Sequence, residues 1–168
     1  GSKSHTNRAL LIAALAEGPT RLENALFSDD SHYFAQALTD LGFEVALDSE
    51  TKNMLVHGFG GEIPVVQADL FIGNAGTAAR FLTAMLTLGH GEYYLDGVER
   101  MRQRPIGDLV VAINNLGAKV DGIHTDNSSI CPPVTVQAAG LPGGITSIRG
   151  DISSQFLSGL LMVAPYAQ

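Results

Sequence analysis

The chain has 168 residues, 45% hydrophobic and 16% charged, with 17 acidic against 10 basic side chains and a formal net charge of -7. With a mean hydropathy of +0.16, that is the composition of a folded domain and not of a disordered tail, and the acidic balance argues against nucleic acid or an anionic membrane as partner. The single cysteine, Cys131, excludes an internal disulfide and a cysteine metal cluster. No apolar run reaches bilayer length, and a cytoplasmic setting is the default expectation.

Alanine and leucine at helical spacing predict a first helix over residues 7 to 18, NRALLIAALAEG, behind the polar stretch Lys3-Ser4-His5-Thr6-Asn7-Arg8. A second helix is expected over 32 to 42, with Ser28, Asp29 and Asp30 as capping candidates and Gly42 as its stop. Strand patterns follow at 43–47 (FEVAL) and 53–58 (NMLVHG), and 69–73 (DLFIG) runs into a helix over 77–89. After EYYLDG at 92–97, Pro105 suits the first turn of a helix over 105–117. Further strands are expected at 118–122 (AKVDG), 134–138 (VTVQA) and 145–150 (ITSIRG), and a last apolar helix opens in SSQFLSGLLMVA from residue 153.

These pieces repeat. LTDLGFEV at 38–45 matches INNLGAKV at 113–120, 75 residues later, and Ser4, Thr77 and Ser154 each open an apolar helix at a similar spacing. Each unit reads helix, strand, helix, strand, strand, so the chain is expected to hold two units and the start of a third. A repeat interrupted inside a helix leaves an apolar face uncovered, and the expectation is a fragment of a longer protein.

Chemistry concentrates at the helix starts. The first carries Lys3, Ser4 and Arg8; GNAGTAAR carries Asn74, Gly76, Thr77 and Arg80; ERMRQRP brings Arg100, Arg102 and Arg104 up to Pro105; GDISSQF carries Ser153, Ser154 and Gln155 with Arg149 upstream. Seven of the ten basic residues lie in these segments. Unpaired N–H groups and the dipole of a helix start favour an anion, and a hydroxyl with a guanidinium completes a phosphate or carboxylate cradle. Read one at a time, each start also fits a plain solvated cap, and Arg80 also fits an ion pair with an acidic neighbour.

Other chemistries lack their patterns. GSKS does not have the spacing of a P-loop, no GxGxxG follows a strand, no GxSxG elbow occurs, and the five histidines form no HxxxH or HExxH pair. No metal or cofactor is called for. Cys131, ahead of two prolines, reads as structural.

Together, SKSHTNRALLIAAL, LFIGNAGTAARFLTAM, LDGVERMRQRPIGDLV and GDISSQFLSGLLMVAP resemble, in order, four segments of the enolpyruvyl transferase family, across essentially the whole chain. The SKSxxNR and SSQ stretches look more like its shikimate branch than its UDP-N-acetylglucosamine branch, whose cysteine loop has no counterpart at Cys131-Pro132-Pro133. The resemblance implies an inside-out α/β fold of βαβαββ units in two domains that close on substrate, with residues 1–168 forming an incomplete first domain and the second domain absent. It implies transfer of the enolpyruvyl group of phosphoenolpyruvate to the 5-hydroxyl of shikimate 3-phosphate, with phosphate released, by a monomer without cofactor. Lys3 would lie between both substrates as the catalytic residue, Ser4 and Arg8 on the shikimate moiety, and Gly76 and Arg104 on the phosphoenolpyruvate side. Asn74, Thr77 and Arg80 would shape that pocket, Ser153 and Ser154 would hold the 3-phosphate, and Gln155 would reach both substrates. The family's acid and base carboxylates belong to its second domain, so this stretch alone is expected to be inactive. Phe81 stands where many members carry proline, and Gly76 is glycine where glyphosate-tolerant forms place alanine, which implies a glyphosate-sensitive type. The alternatives are the UDP-N-acetylglucosamine enzyme and a noncatalytic anion-binding module on the same fold.

Overall fold

The computed structural model describes residues 1–125, 129–149, 151 and 153–168. Alanine- and leucine-rich sequence forms α1 (Lys3–Leu15), which ends earlier than its pattern suggests. Gly18 takes φ +82 and precedes Pro19, a position that disfavours helix, so Glu17–Leu22 becomes strand β1. Pro19 is tolerated there because β1 lies at the edge of its sheet.

Helix α2 (Asp29–Asp40) starts on a reciprocal cap between Ser28 and Ser31, with Asp29 and Asp30 in the first turn. It stops where Gly42 turns to φ +87; the N–H of Gly42 donates to the Thr39 carbonyl at 2.9 Å and that of Phe43 to Leu38 at 3.0 Å. The hairpin β2 (Glu44–Asp48) and β3 (Asn53–Phe59) follows.

The second unit runs β4 (Gln67–Phe71), α3 (Gly76–Leu86), β5 (His90–Asp96), α4 (Gly107–Asn115), β6 (Lys119–His124) and β7 (Ile130–Ala139), with a short 3-10 turn at Met101–Gln103 before α4. Helix α4 stops as α2 does: Gly117 has φ +92, and the N–H groups of Gly117 and Ala118 donate to Asn114 and Ile113. The repeated LG is therefore one helix-stop motif used twice. The sheets repeat as well. β1-β3-β2 and β5-β7-β6 share the same order and the same antiparallel pairing, and β4 adds parallel to β5. Helix α5 (Ser154–Val163), capped by Ser153, opens the third unit.

Two expectations are corrected. Pro105 stands outside the first turn of α4: the N–H of Ile106 donates to the Ile130 carbonyl on β7 at 2.8 Å, which holds Ile106 outside the helix as its N-cap. Residues 145–149 form no strand; no described strand pairs with them, and Ile145 is 97% exposed. Gly150 of that expected strand, and Gly150 and Ile152 of GDISSQF, lie outside the described residues.

The layering is helices inside, sheets outside. Of the 11 residues of α3, ten are buried and only Arg80 is not, because α1, α2, α4 and α5 all pack around it. The sheets cover this bundle with one face: on β3, Met54 and Val56 are buried while Leu55 and Phe59 face outward. The helix starts carry the first-turn N–H groups that no helical carbonyl accepts; on α2 and α5 the Ser28 and Ser153 hydroxyls accept one each.

Candidate active site

All five described helices bring residues at or near their starts to one cleft of about 430 Å³. Ser2, Lys3 and Ser4 come from α1, Asp30 from α2, Asn74, Gly76 and Thr77 from α3, Arg104 from the approach to α4, and Gln155 from α5. Among the described residues, larger concavities, about 760 Å³ on the outer face of β6 and β7 and about 730 Å³ between α2 and β2, are lined by one Lys or Arg between them, Lys119. Charge and not size singles out the smaller cleft.

Lys3 reaches across the cleft to α2, its Nζ 2.9 Å from Asp30 Oδ1, with the lysine half exposed and the carboxylate 15% exposed. Arg104 lies flat on α3. Its Nη1 donates to the Asn74 carbonyl at 3.1 Å, and a β-carbon built on Gly76 would stand 2.5 Å from its Cζ and 2.6 Å from Nη1. Gly76 thus provides the bare backbone on which the guanidinium rests. On the α5 side, Gln155 Nε2 donates to Thr77 Oγ1 at 3.1 Å, and the Gln155 N–H donates to the Ser153 hydroxyl at 3.2 Å.

The cleft gathers Lys3, Ser4, Asn74, Gly76, Thr77, Arg104 and Gln155, whereas Arg8, Arg80, Ser153 and Ser154 do not line it. Arg8 sits behind Ser4, donating to its carbonyl at 3.2 Å and to its hydroxyl, and to Ser158 Oγ on α5 at 3.1 Å. Arg80 donates from Nη1 to the Gly76 carbonyl at 2.6 Å; burial, and then the charge of Arg104, push its pKa down. Ser153 caps α5, while Ser154 is exposed and its carbonyl accepts from Ser158. The other arginines singled out near helix starts lie elsewhere. Arg102 pairs with Asp96 through two hydrogen bonds of 2.5 and 3.0 Å, Arg149 pairs with Asp151, and Arg100 is exposed.

Sequence reasoning misses Asp30, which reads as a cap yet supplies the cleft's carboxylate, although its place in the first turn of a second helix of the repeat is the available signal. It also misses Asn7, fully buried one turn beyond Lys3 with neither amide atom paired among the described residues, and Ser158, whose partner is 150 residues away.

An inside-out α/β unit whose helix starts collect lysine, arginine, hydroxyls and bare glycine backbone around one cleft has the chemistry that suits small anions. The family model described as EPSP synthase (3-phosphoshikimate 1-carboxyvinyltransferase) matches residues 1–168, and the chain belongs to that family. The chain is 54% identical over 168 residues to the 3-phosphoshikimate 1-carboxyvinyltransferase of Trichormus variabilis, covering all of this chain and 39% of that protein. The chloroplastic enzyme of the same name from Solanum lycopersicum is 53% identical over 175 residues, covering 99% of this chain and 33% of that one. Among solved structures, EPSP synthase from Acinetobacter baumannii superposes with a TM-score of 0.88 at 25% identity, over 100% of this chain and 38% of that one. The chain thus spans about two fifths or less of the length of these relatives.

Proposed function

We propose that the chain forms part of the first domain of a 3-phosphoshikimate 1-carboxyvinyltransferase and supplies one side of its active site. The observation that carries this reading is the cleft, where Lys3, Arg104 and the bare backbone of Gly76 face one another at helix starts. The reaction forms a C–O bond between the 5-hydroxyl of shikimate 3-phosphate and C2 of phosphoenolpyruvate while C3 takes a proton. Elimination of phosphate and loss of a C3 proton then leave the enolpyruvyl ether.

Substrates with two phosphates and one carboxylate need cationic clamps that act without reorganising. In this reading Lys3 and Arg104 clamp phosphoenolpyruvate, and Gly76 lets it approach the backbone. Ser4 and Arg8 hold the shikimate ring, Ser153 and Ser154 its 3-phosphate, and Gln155 spans both substrates, while Asn74, Thr77 and Arg80 shape the pocket. Lys3, half exposed beside Asp30, is also the group able to move a proton at the reacting centre. The remaining acid–base groups belong to the second domain, so residues 1–168 alone are expected to be inactive. Glyphosate, which carries a phosphonate and a carboxylate, fits the same clamps as an inhibitor. The reading carries a cytoplasmic monomer; no helix among the described residues is long and apolar enough to cross a membrane.

The test is phosphate release by the full-length protein. Release that requires shikimate 3-phosphate together with phosphoenolpyruvate supports the reading. Turnover with UDP-N-acetylglucosamine in its place, or anion binding with no turnover, overturns it in favour of the other branch or of a noncatalytic module.

A further inference from the structure

Two arginines near helix starts lie over aromatic rings one repeat further along the chain. Arg8 of α1 has its Cζ 5.4 Å from the ring centroid of Phe81 on α3, and Arg80 of α3 has its Cζ 5.2 Å from that of Phe156 on α5. The rings are 0% and 2% exposed. Each unit therefore sets an arginine on the ring of the next.

For Arg8 this support decides where the charge points. Among the described residues its hydrogen bonds go to the carbonyl and hydroxyl of Ser4 on its own helix and to the hydroxyl of Ser158, which itself donates to the Ser154 carbonyl. Hydroxyls rotate, whereas the Phe81 ring is locked in the core and presents a negative face to a cation. Phe81 is fully buried whereas Arg8 is only partly so, so the ring can act on a ligand only through Arg8.

We propose that Phe81 is a positioning residue, whose ring holds the Arg8 guanidinium in the orientation that receives shikimate 3-phosphate. This rests on the function proposed above. A proline at this position could not give the same support, so the device belongs to chains that carry an aromatic residue here.

The experiment is a double-mutant cycle on shikimate 3-phosphate affinity in the full-length protein, measured by calorimetric titration. Phe81→Leu keeps apolar bulk and removes the ring; it should weaken binding by about five-fold, the scale of a partly desolvated cation–π contact. Arg8→Ala should weaken it more, and Phe81→Leu added to Arg8→Ala should cost nothing further. A loose-packing effect would instead impose the same factor in both backgrounds, and that result overturns the inference. Should leucine fail to fold, Phe81→Met repeats the cycle with a longer side chain. If Arg8→Ala leaves affinity unchanged, the assignment of Arg8 to the substrate site falls, and this inference with it. If Arg8→Ala weakens binding and Phe81→Leu does not, only the positioning role falls.

Discussion

Gly76→Ala asks whether Arg104 must lie on the backbone of α3 to serve the cleft. The new β-carbon would stand 2.5 Å from Arg104 Cζ and 2.6 Å from Nη1, against the roughly 3.5–4.0 Å of ordinary contact, so the guanidinium must retreat by about 1 Å or more. The fold should tolerate this. The obstacle is the free end of a flexible side chain, Gly76 is not among the positive-φ glycines, and alanine is the better helix former by up to about 1 kcal/mol. What is lost is the bond from Arg104 to the Asn74 carbonyl at 3.1 Å and the seat beside the cleft. A hydrogen bond from a charged donor contributes about 1.5–3 kcal/mol; Arg104 is only half buried, so the lower figure applies, equivalent to roughly ten-fold in affinity. Titrating phosphoenolpyruvate into the full-length protein with shikimate 3-phosphate present should show that weakening with little change in Tm, and glyphosate should weaken by a larger factor. A folded variant with unchanged affinity for both would refute the argument that this seat matters.

Lys3→Met should lower kcat/KM in the full-length protein by about 100-fold or more while changing stability by at most about 1 kcal/mol, since its ion pair is half exposed; a denaturation curve and a phosphate-release assay separate the two, and near-normal turnover would remove Lys3 from the mechanism. Burial pushes the Asp96 carboxyl up, but hydrogen bonds from Arg102 and the Gly97 N–H, with the Arg102 charge, outweigh it and hold the pKa below its ordinary 3.8. Stability from such a group is complete above the unfolded value and is lost as pH falls through the lower folded one; Asp96→Asn should therefore flatten the drop in Tm below about pH 4, and an unaltered acid limb would count against the pair. Leu82→Ala, at a fully buried position of α3, should cost about 2–5 kcal/mol in chemical denaturation, and a loss under 1 kcal/mol would mean that α3 is not the centre of the bundle.

Helices α2 and α4 were legible because their stops are local. Gly42 and Gly117 follow the same leucine and end α2 and α4 by the same bonds, so period and boundary could be read together. β1 was hidden because the helical pattern runs on through Glu17 and Gly18, where Gly18 at φ +82 ahead of Pro19 breaks it. Pro105 misled for a tertiary reason, the pull of Ile130 on the Ile106 N–H. The candidate site divides along the same line. Lys3, Gly76 and Arg104 announce themselves by composition at helix starts, but contacts such as Lys3 with Asp30 or Arg8 with Ser158 depend on how the units pack, which no local pattern contains.

An acidic chain can still present a cationic cleft because charge is neutralised locally. Away from the cleft, Arg21, Arg102 and Arg149 each lie against a neighbouring carboxylate, so three of the ten basic side chains are neutralised where they stand. Among the described residues Arg8, Arg80 and Arg104 have no carboxylate partner; carbonyls, hydroxyls and aromatic rings hold them. Those supports fix direction without cancelling charge. At physiological ionic strength the field of distant surface acids fades over about 8 Å, so the net charge of -7 has little influence where the helix starts meet. Among the described residues Asp30 is the one carboxylate lining the cleft, where it pairs with Lys3; in the function proposed above a bound anion would compete with it for that lysine.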